Sequence, residues 1–335
     1  MSLNRPLAIL ALALGMGFAV PLANAAEPTM VRVKVFPGAA NLAIFAGMAK
    51  GNFSRRELRV DLQFTANSDE QRKGLATGAF EIAHAAVDNA VHMVEAEKED
   101  AIIVMGGDSS MNEFMVQPEI GSIAELRGRI IAVDAPNTAY ALLAKKILLN
   151  NGLREGKDYT VEPVGGSAVR LKVVLKDKKY AAVVLNVPFS IVGAQNGLKS
   201  LGRTVDLLGP YQASGMFVMR PWAKANGPVL ERYMAAYIES LRWVLDPANR
   251  AECVALLAER LKLAADVAGQ AYDLMREPKF GLSTDARFDV EGFRNLLAIR
   301  AEMEGQWGGK PPAPDKYIDL GYYQRAVATL DRQAR

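Results

Sequence analysis

The sequence has very little of what metal centres and covalent cross-links are built from. It contains one cysteine, Cys253, and two histidines, His84 and His92. A single cysteine excludes an internal disulfide, and its apolar helical surroundings predict a buried, inert thiol. Neither histidine has a Cys, His or carboxylate partner at the spacing of a metal site. We therefore expect no metal and no cofactor, and a structural role for both histidines.

Excess charge and the common catalytic motifs are also missing. With 40 basic and 37 acidic side chains, the formal net charge of +3 gives no electrostatic footprint for nucleic acid. The sequence contains no G-x-G-x-x-G, Walker or G-x-S-x-G motif, and nothing in it brings two carboxylates together. These absences predict a protein that is not an enzyme and binds no nucleic acid.

The sequence is rich in apolar residues, and its start has the pattern of a targeting segment. Half of the residues are hydrophobic, which allows a sizeable core, and the length predicts two domains or lobes. A basic start at Arg5, an apolar run over residues 7–20 and an A-x-A site at residues 23–25 are typical of a secretory signal peptide. The run is shorter than the roughly 20 apolar residues that span a membrane. We expect residues 1–25 to be cleaved after Ala25 and the protein to be exported.

Strands and helices alternate over the first two thirds of the chain. Strands are predicted at residues 31–35, 58–64, 80–86, 101–105, 130–133, 159–163, 181–185 and 204–208. Helices are predicted at 41–50, 138–149 and 188–195, and further helices begin at Ser68, Asp88 and Ser167, with Ser68 as the N-cap of a capping box over residues 68–71. After Pro221, apolar residues at helical spacing predict helices at 229–245, 251–261, 264–275, 290–303 and 322–330. This alternation predicts an α/β fold with mainly parallel sheets, extended by C-terminal helices.

Two short apolar stretches flank the second α/β unit. We interpret residues 114–117 and 216–219 as strands that cross between two lobes and form a double hinge. Lobe 1 would then comprise residues 30–116 and 217–335, including the C-terminal helices. Lobe 2 would be an insertion over residues 118–214.

Short polar side chains follow several of the predicted strands. Ligands of open α/β sheets bind at the carboxyl ends of strands, where helix N-termini offer free N–H groups. For each such residue, simple helix capping competes with ligand contact, and Arg170 is either an anion contact or a solvated residue. Tyr140 and Tyr211 are the aromatic candidates. The candidate ligand-binding residues are Asn41, Ser68, Asp88, Asn137, Thr138, Tyr140, Ser167, Arg170, Asn186 and Tyr211.

Several segments match a known family in order and spacing. They are residues 41–53, 74–83, 87–89, 122–133 and 178–185, the last followed by Pro188. Through them the chain resembles the periplasmic substrate-binding proteins of ABC importers, in the branch of the sulfonate, taurine and nitrate binders and the thiamine-pyrimidine-synthase-like (NMT1/THI5-like) proteins. The resemblance implies a type II-like fold with two lobes that close on a ligand. It also implies a periplasmic monomer that delivers its small-molecule ligand to a membrane permease powered by an ATPase.

The resemblance leaves the ligand and the functional class open. We expect first a small organic anion such as a sulfonate or carboxylate. A pyrimidine-like heterocycle comes second, because Asp88 and neutral amides suit ring N–H groups. An enzyme on the same fold, like the pyrimidine-precursor synthase, is a further alternative, although its cysteine-rich motif is absent here. A third functional class, beside a transport protein and an enzyme, is a sensor domain without a transporter.

Overall fold

The computed structural model describes residues 27–333, so the predicted signal peptide lies outside the described residues. The strands are β1 (Thr29–Val35), β2 (Leu58–Phe64), β3 (Ile82–Ala86), β4 (Ala101–Asp108), β5 (Asn112–Val116), β6 (Ile130–Val133), β7 (Thr160–Pro163), β8 (Tyr180–Asn186), β9 (Lys199–Arg203) and β10 (Ser214–Met219). The helices are α1 (Leu42–Ala49), α2 (Ser68–Ala76), α3 (Asp88–His92), α4 (Ala139–Asn150), α5 (Ser167–Lys176), α6 (Phe189–Gln195), α7 (Thr204–Leu208), α8 (Arg220–Ala225), α9 (Gly227–Leu245), α10 (Arg250–Leu261), α11 (Ala265–Met275), α12 (Val290–Glu304) and α13 (Gly321–Gln333).

The strands form two sheets with the same topology. The first has the order β2-β1-β3-β10-β4 and the second the order β7-β6-β8-β5-β9. In the first sheet β10 runs antiparallel to both of its neighbours, and in the second sheet β5 does the same. The remaining strands of each sheet are parallel to one another, as the βα alternation predicts. The α/β fold class is confirmed.

The two apolar stretches expected to cross between lobes each lie in one sheet. Strand β5 pairs with β8 and β9, and β10 pairs with β3 and β4. The chain therefore passes between the sheets at residues 109–111 and 204–213, just before each of these strands. An apolar pattern shows that a strand is buried but not which neighbours it pairs with. We call residues 29–108 and 214–333 the first half, and residues 112–203 the second half.

Two local predictions are wrong. Residues 204–208 form helix α7 instead of a strand, because a short apolar run fits a buried helical turn as well as a strand. Ser68 does not cap helix α2. The N-cap is Asn67, whose side-chain oxygen accepts a hydrogen bond from the amide of Glu70 at 2.8 Å.

The C-terminal helices cover both faces of the first sheet. On one face, the buried side chains of β1 (Val31, Val33 and Val35) join those of α1 and α9 in a large apolar cluster that also contains Cys253. On the other face, Ile103 and Phe217 pack against the buried side of α12. The predicted C-terminal helices and the buried thiol are confirmed. No helix within residues 27–333 is long and apolar enough to cross a membrane.

Candidate functional site

A cavity lies between the two sheets at the carboxyl ends of their parallel strands. Its empty space is about 770 Å³, a figure that includes the solvent at its open mouth. Phe36 follows β1, Ala86 ends β3 and Asp108 ends β4. From the second half, Asp134 follows β6 and Asn186 ends β8. The position is the one expected for ligands of open α/β sheets.

Most of the residues proposed from sequence border this cavity. Those that line it are Asn41, Ser68, Thr138, Tyr140, Ser167, Arg170 and Asn186. Three others do not. Asn137 is half-buried outside the lining, and Tyr211 is buried in the apolar cluster beside α12. Asp88 is 1% exposed and its carboxylate is held by protein groups. Direct ligand contact by the lining residues stays a prediction.

Helices α2, α4 and α5 begin beside the cavity, and α2 and α4 already have a carboxylate at their N-termini. The amide of Ser68, at the start of α2, donates to Asp134 at 3.2 Å, and the Ser68 hydroxyl donates to the same carboxylate. The amide of Ala139, at the start of α4, donates to Asp88 Oδ2 at 2.5 Å. Such carboxylates offset the positive end of a helix dipole. At α5, no carboxylate within residues 27–333 accepts from a backbone amide. The α5 N-terminus therefore keeps its positive potential.

The start of α5 depends on two glycines. Gly165 has φ +102°, a left-handed conformation that favours glycine. The amide of Gly166 donates to the carbonyl of Ala66 in the first half at 2.8 Å. A Cβ on Gly166 would lie 2.8 Å from the ring of Phe36 and 3.2 Å from that carbonyl. The absence of side chains thus lets this helix end approach the opposite half closely.

Arg170 is a buried cation on the first turns of α5. It is 3% exposed and lines the cavity. Among the described residues, its guanidinium donates only to neutral groups: the Gly165 carbonyl at 2.8 Å, the Ser167 hydroxyl at 2.9 Å and the Val184 carbonyl at 3.0 Å. Burial lowers its pKa and the nearby charge of Asp134 raises it, but an arginine stays protonated. Arginines are rarely buried without an ion partner, and within residues 27–333 the structure gives Arg170 no ion pair with a carboxylate.

Buried hydrogen-bond acceptors face the same cavity. The amide nitrogen of Asn112, a residue only 1% exposed, donates to the hydroxyl of Ser110 at 3.0 Å. The side-chain oxygens of Asn112 and Asn186 are buried and accept no hydrogen bond within the described part of the chain. Buried polar atoms without a partner are uncommon. Both residues line the cavity.

The first half contributes two titratable side chains to the lining, Asp108 and His84. Burial disfavours the charged form of both. Burial raises the pKa of Asp108, although the amides of Ser110 and Met111 and the hydroxyl of Ser214 donate to its carboxylate. Burial lowers the pKa of His84 to about 3, which keeps its imidazole neutral. The ring stacks on Tyr237 with 5.0 Å between centroids.

Sequence reasoning missed several of the lining residues. They are His84, Asp108, Met111, Asn112, Asp134 and Ser214. Most of these residues lie at or near the end of a strand. The residues proposed from the sequence were chosen by the same criterion. Asp108 and Asn112 were missed because they bracket the passage between the sheets, which had been expected at residues 114–117. Within residues 27–333, no group of three His, Cys, Asp or Glu side chains is arranged to hold a metal ion.

Comparison with protein-family models and with curated protein sequences finds no match. Comparison of structures finds close likenesses over nearly the whole chain. A protein from Bordetella bronchiseptica RB50 is 19% identical with a TM-score of 0.77, over 91% of this chain and 99% of its own. The periplasmic nitrate-binding protein NrtA from Synechocystis PCC 6803 is 13% identical with a TM-score of 0.74, over 92% and 90%.

A third solved structure is the alkanesulfonate-binding protein SsuA from Xanthomonas axonopodis pv. citri bound to MOPS. It is 16% identical with a TM-score of 0.68, over 88% of this chain and 99% of its own. This chain has the periplasmic-binding-protein fold. Residues of both halves line the cavity.

Proposed function

We propose that the protein is the periplasmic solute-binding component of an ABC importer and that it captures a small organic anion in the cavity. The observation that carries this proposal is the α5 N-terminus together with Arg170. There, within residues 27–333, a buried guanidinium without an ion partner adjoins a helix end without a carboxylate. Among proteins with the same fold, one is named for binding nitrate and another for binding alkanesulfonates.

The anionic group of the ligand would bind at the start of α5. Carboxylate or sulfonate oxygens accept from the Ser167 amide, the Ser167 hydroxyl and the remaining N–H groups of Arg170, and such charge-assisted bonds are the strong ones. Phe36 and Tyr140 border the space for an organic body. This apolar lining favours an anion with a carbon skeleton over a bare inorganic ion.

Capture would proceed by closure of two lobes, each built on one sheet. Lobe 1 corresponds to the first half and lobe 2 to the second half. The connections at residues 109–111 and 204–213 would act as hinges. The ligand contacts both lobes only in the closed form, so it shifts the population toward that form. The closed complex would then deliver the ligand to the permease, and the ATPase would power its transport.

A pyrimidine-like heterocycle is the second candidate ligand. The unpartnered oxygens of Asn112 and Asn186 suit ring N–H donors, and Phe36 and Tyr140 offer aromatic faces. Asp88, the residue that first pointed to this class of ligand, does not line the cavity. Without Asp88, the asparagine oxygens are the hydrogen-bond partners that this class of ligand would use, whereas the anion has a cationic partner in Arg170.

A thermal-shift screen of the purified protein tests the function. The panel contains alkyl and aryl sulfonates, carboxylates, nitrate and pyrimidines, at equal concentration and constant ionic strength. A ligand at one hundred times its Kd adds about 2.7 kcal/mol to the free energy of unfolding. We expect organic anions to raise the melting temperature. A shift by pyrimidines alone would favour the second candidate. Turnover of a panel compound would overturn the binding-protein assignment.

A further inference from the structure

A fully buried ion pair stands directly behind the cavity. Arg300, which is 0% exposed, donates from Nη1 to both carboxylate oxygens of Asp88 at 2.8 Å. Its Nη2 lies 3.0 Å from Nδ1 of His92, and its Nε donates to Gln306 Oε1 at 2.9 Å. Helix α12 thus supplies a guanidinium whose position is fixed on three sides. That guanidinium in turn fixes the orientation of the Asp88 carboxylate.

The same carboxylate reaches across to the other half of the protein. Asp88 Oδ2 accepts from the amide of Ala139, the first residue of α4, at 2.5 Å. Ala139 has φ +45°, a left-handed conformation that is strained for a residue with a Cβ. A carboxylate at a helix N-terminus is stabilising and offsets this strain. The neighbours Thr138 and Tyr140 both line the cavity, so this bond fixes the backbone of the binding site.

We propose that Asp88 is a latch, held by Arg300, that closes lobe 1 onto lobe 2 through the Ala139 amide. The inference rests on the proposed function, because it assumes that the lobes open and close. Opening breaks this bond and releases the strain at Ala139. The latch thereby adds to the free energy of closure, beside the bonds of Ser68 to Asp134 and of Gly166 to Ala66, and so raises the affinity for every ligand that needs the closed cavity. The C-terminal helix α12 acquires a role in binding without touching the ligand.

Another contact between the halves provides the contrast. Lys146 on α4 and Glu302 on α12 form an ion pair between the halves, with 2.8 Å between Nζ and Oε2, but the Glu302 side chain is 49% exposed. Exposed ion pairs contribute little, because water screens them. The Asp88 bond is charge-assisted and buried, so its loss is costly. Lys146→Met is accordingly the matched control, since it removes an ion pair between the halves without touching the latch.

The first measurement follows the lobes without any ligand. Lys73 on α2 and Lys176 on α5 are exposed, and Lys73→Cys with Lys176→Cys gives a labelling pair, one on each lobe. The native thiol of Cys253 is buried and escapes labelling. Distance distributions from energy transfer or spin labels then report the closed population. We expect Asp88→Asn, and the charge-neutral double variant Asp88→Asn/Arg300→Gln, to reduce the closed-to-open ratio by roughly tenfold. Lys146→Met should leave it unchanged.

The second measurement needs no variant of the latch. Hydrogen exchange of the wild-type protein should show a protected Ala139 amide and a rapidly exchanging Ala168 amide at the start of α5, where no carboxylate accepts. The latch is refuted if the folded double variant keeps the wild-type distance distribution, or if the two amides exchange equally fast. Absence of any binding solute would contradict the proposed function instead, and would leave both of these readouts intact.

Discussion

Acid should destabilise the protein in a way that can be traced to His84. Burial lowers its pKa to about 3 in the folded state, whereas an unfolded histidine titrates near ~6.5. Below pH ~6.5 the unfolded chain binds a proton that the folded chain excludes, so stability falls with pH at about 1.4 kcal/mol per unit. Between pH 7.5 and 5.5 this loss amounts to about 1.4 kcal/mol for His84 alone. Because the ring borders the cavity, solvent there reduces the desolvation, and this figure is an upper bound.

The assay compares urea unfolding of the wild type and of His84→Gln at pH 7.5, 6.5 and 5.5, followed by tryptophan fluorescence. Glutamine retains a hydrogen-bonding group that can reach the hydroxyl of Tyr233, which lies 3.1 Å from His84 Nε2. The sequence has one other histidine, His92, whose lowered pKa contributes equally to both proteins. We expect the difference in unfolding free energy between them to shrink by about 1 kcal/mol toward pH 5.5. Parallel pH profiles would refute the reasoning.

Two further predictions concern packing. Gly106→Ala should cost about 1–3 kcal/mol of stability, because its Cβ would lie 2.3 Å from the carbonyl of Arg287. Gly121→Ala, whose nearest contact is 3.4 Å away on a flexible side chain, is the control, and equal melting temperatures would contradict the prediction. Burial raises the pKa of the Cys253 thiol to about 12. A thiol reagent at pH 8 should therefore modify it only in denaturant, and rapid labelling of the native protein would show that the thiol is accessible.

The fold followed from the sequence because local patterns specify it. Alternating Val31, Val33 and Val35 define one face of β1, and helical spacing defines α9 to α13. The sequence did not predict which strands β5 and β10 pair with, because strand pairing depends on contacts between residues far apart in the chain. Residues 204–208 form a helix for a similar reason, since only tertiary packing decides a short apolar run.

The site was predicted in part. Strand-end positions identified Arg170 and Ser167 as lining residues, because the carboxyl edge of a parallel sheet is fixed by topology. Asp88 has the same sequence signal, yet its carboxylate is taken by Arg300, which lies 212 residues further along the chain. The residues around Asp88 in the sequence do not indicate a partner so far along the chain. Which acidic residues remain free for a ligand therefore emerges only when the chain is folded.

Titration calorimetry of an organic anion against wild type and Arg170→Met tests the central claim most directly. Lys172→Met, which removes an exposed charge from the same helix, is the matched control. Wild type and Lys172→Met should bind one anion per chain with equal affinity. Loss of a charge-assisted contact should weaken binding to Arg170→Met by roughly tenfold or more. Equal affinity of Arg170→Met and wild type would contradict an anion site at the start of α5.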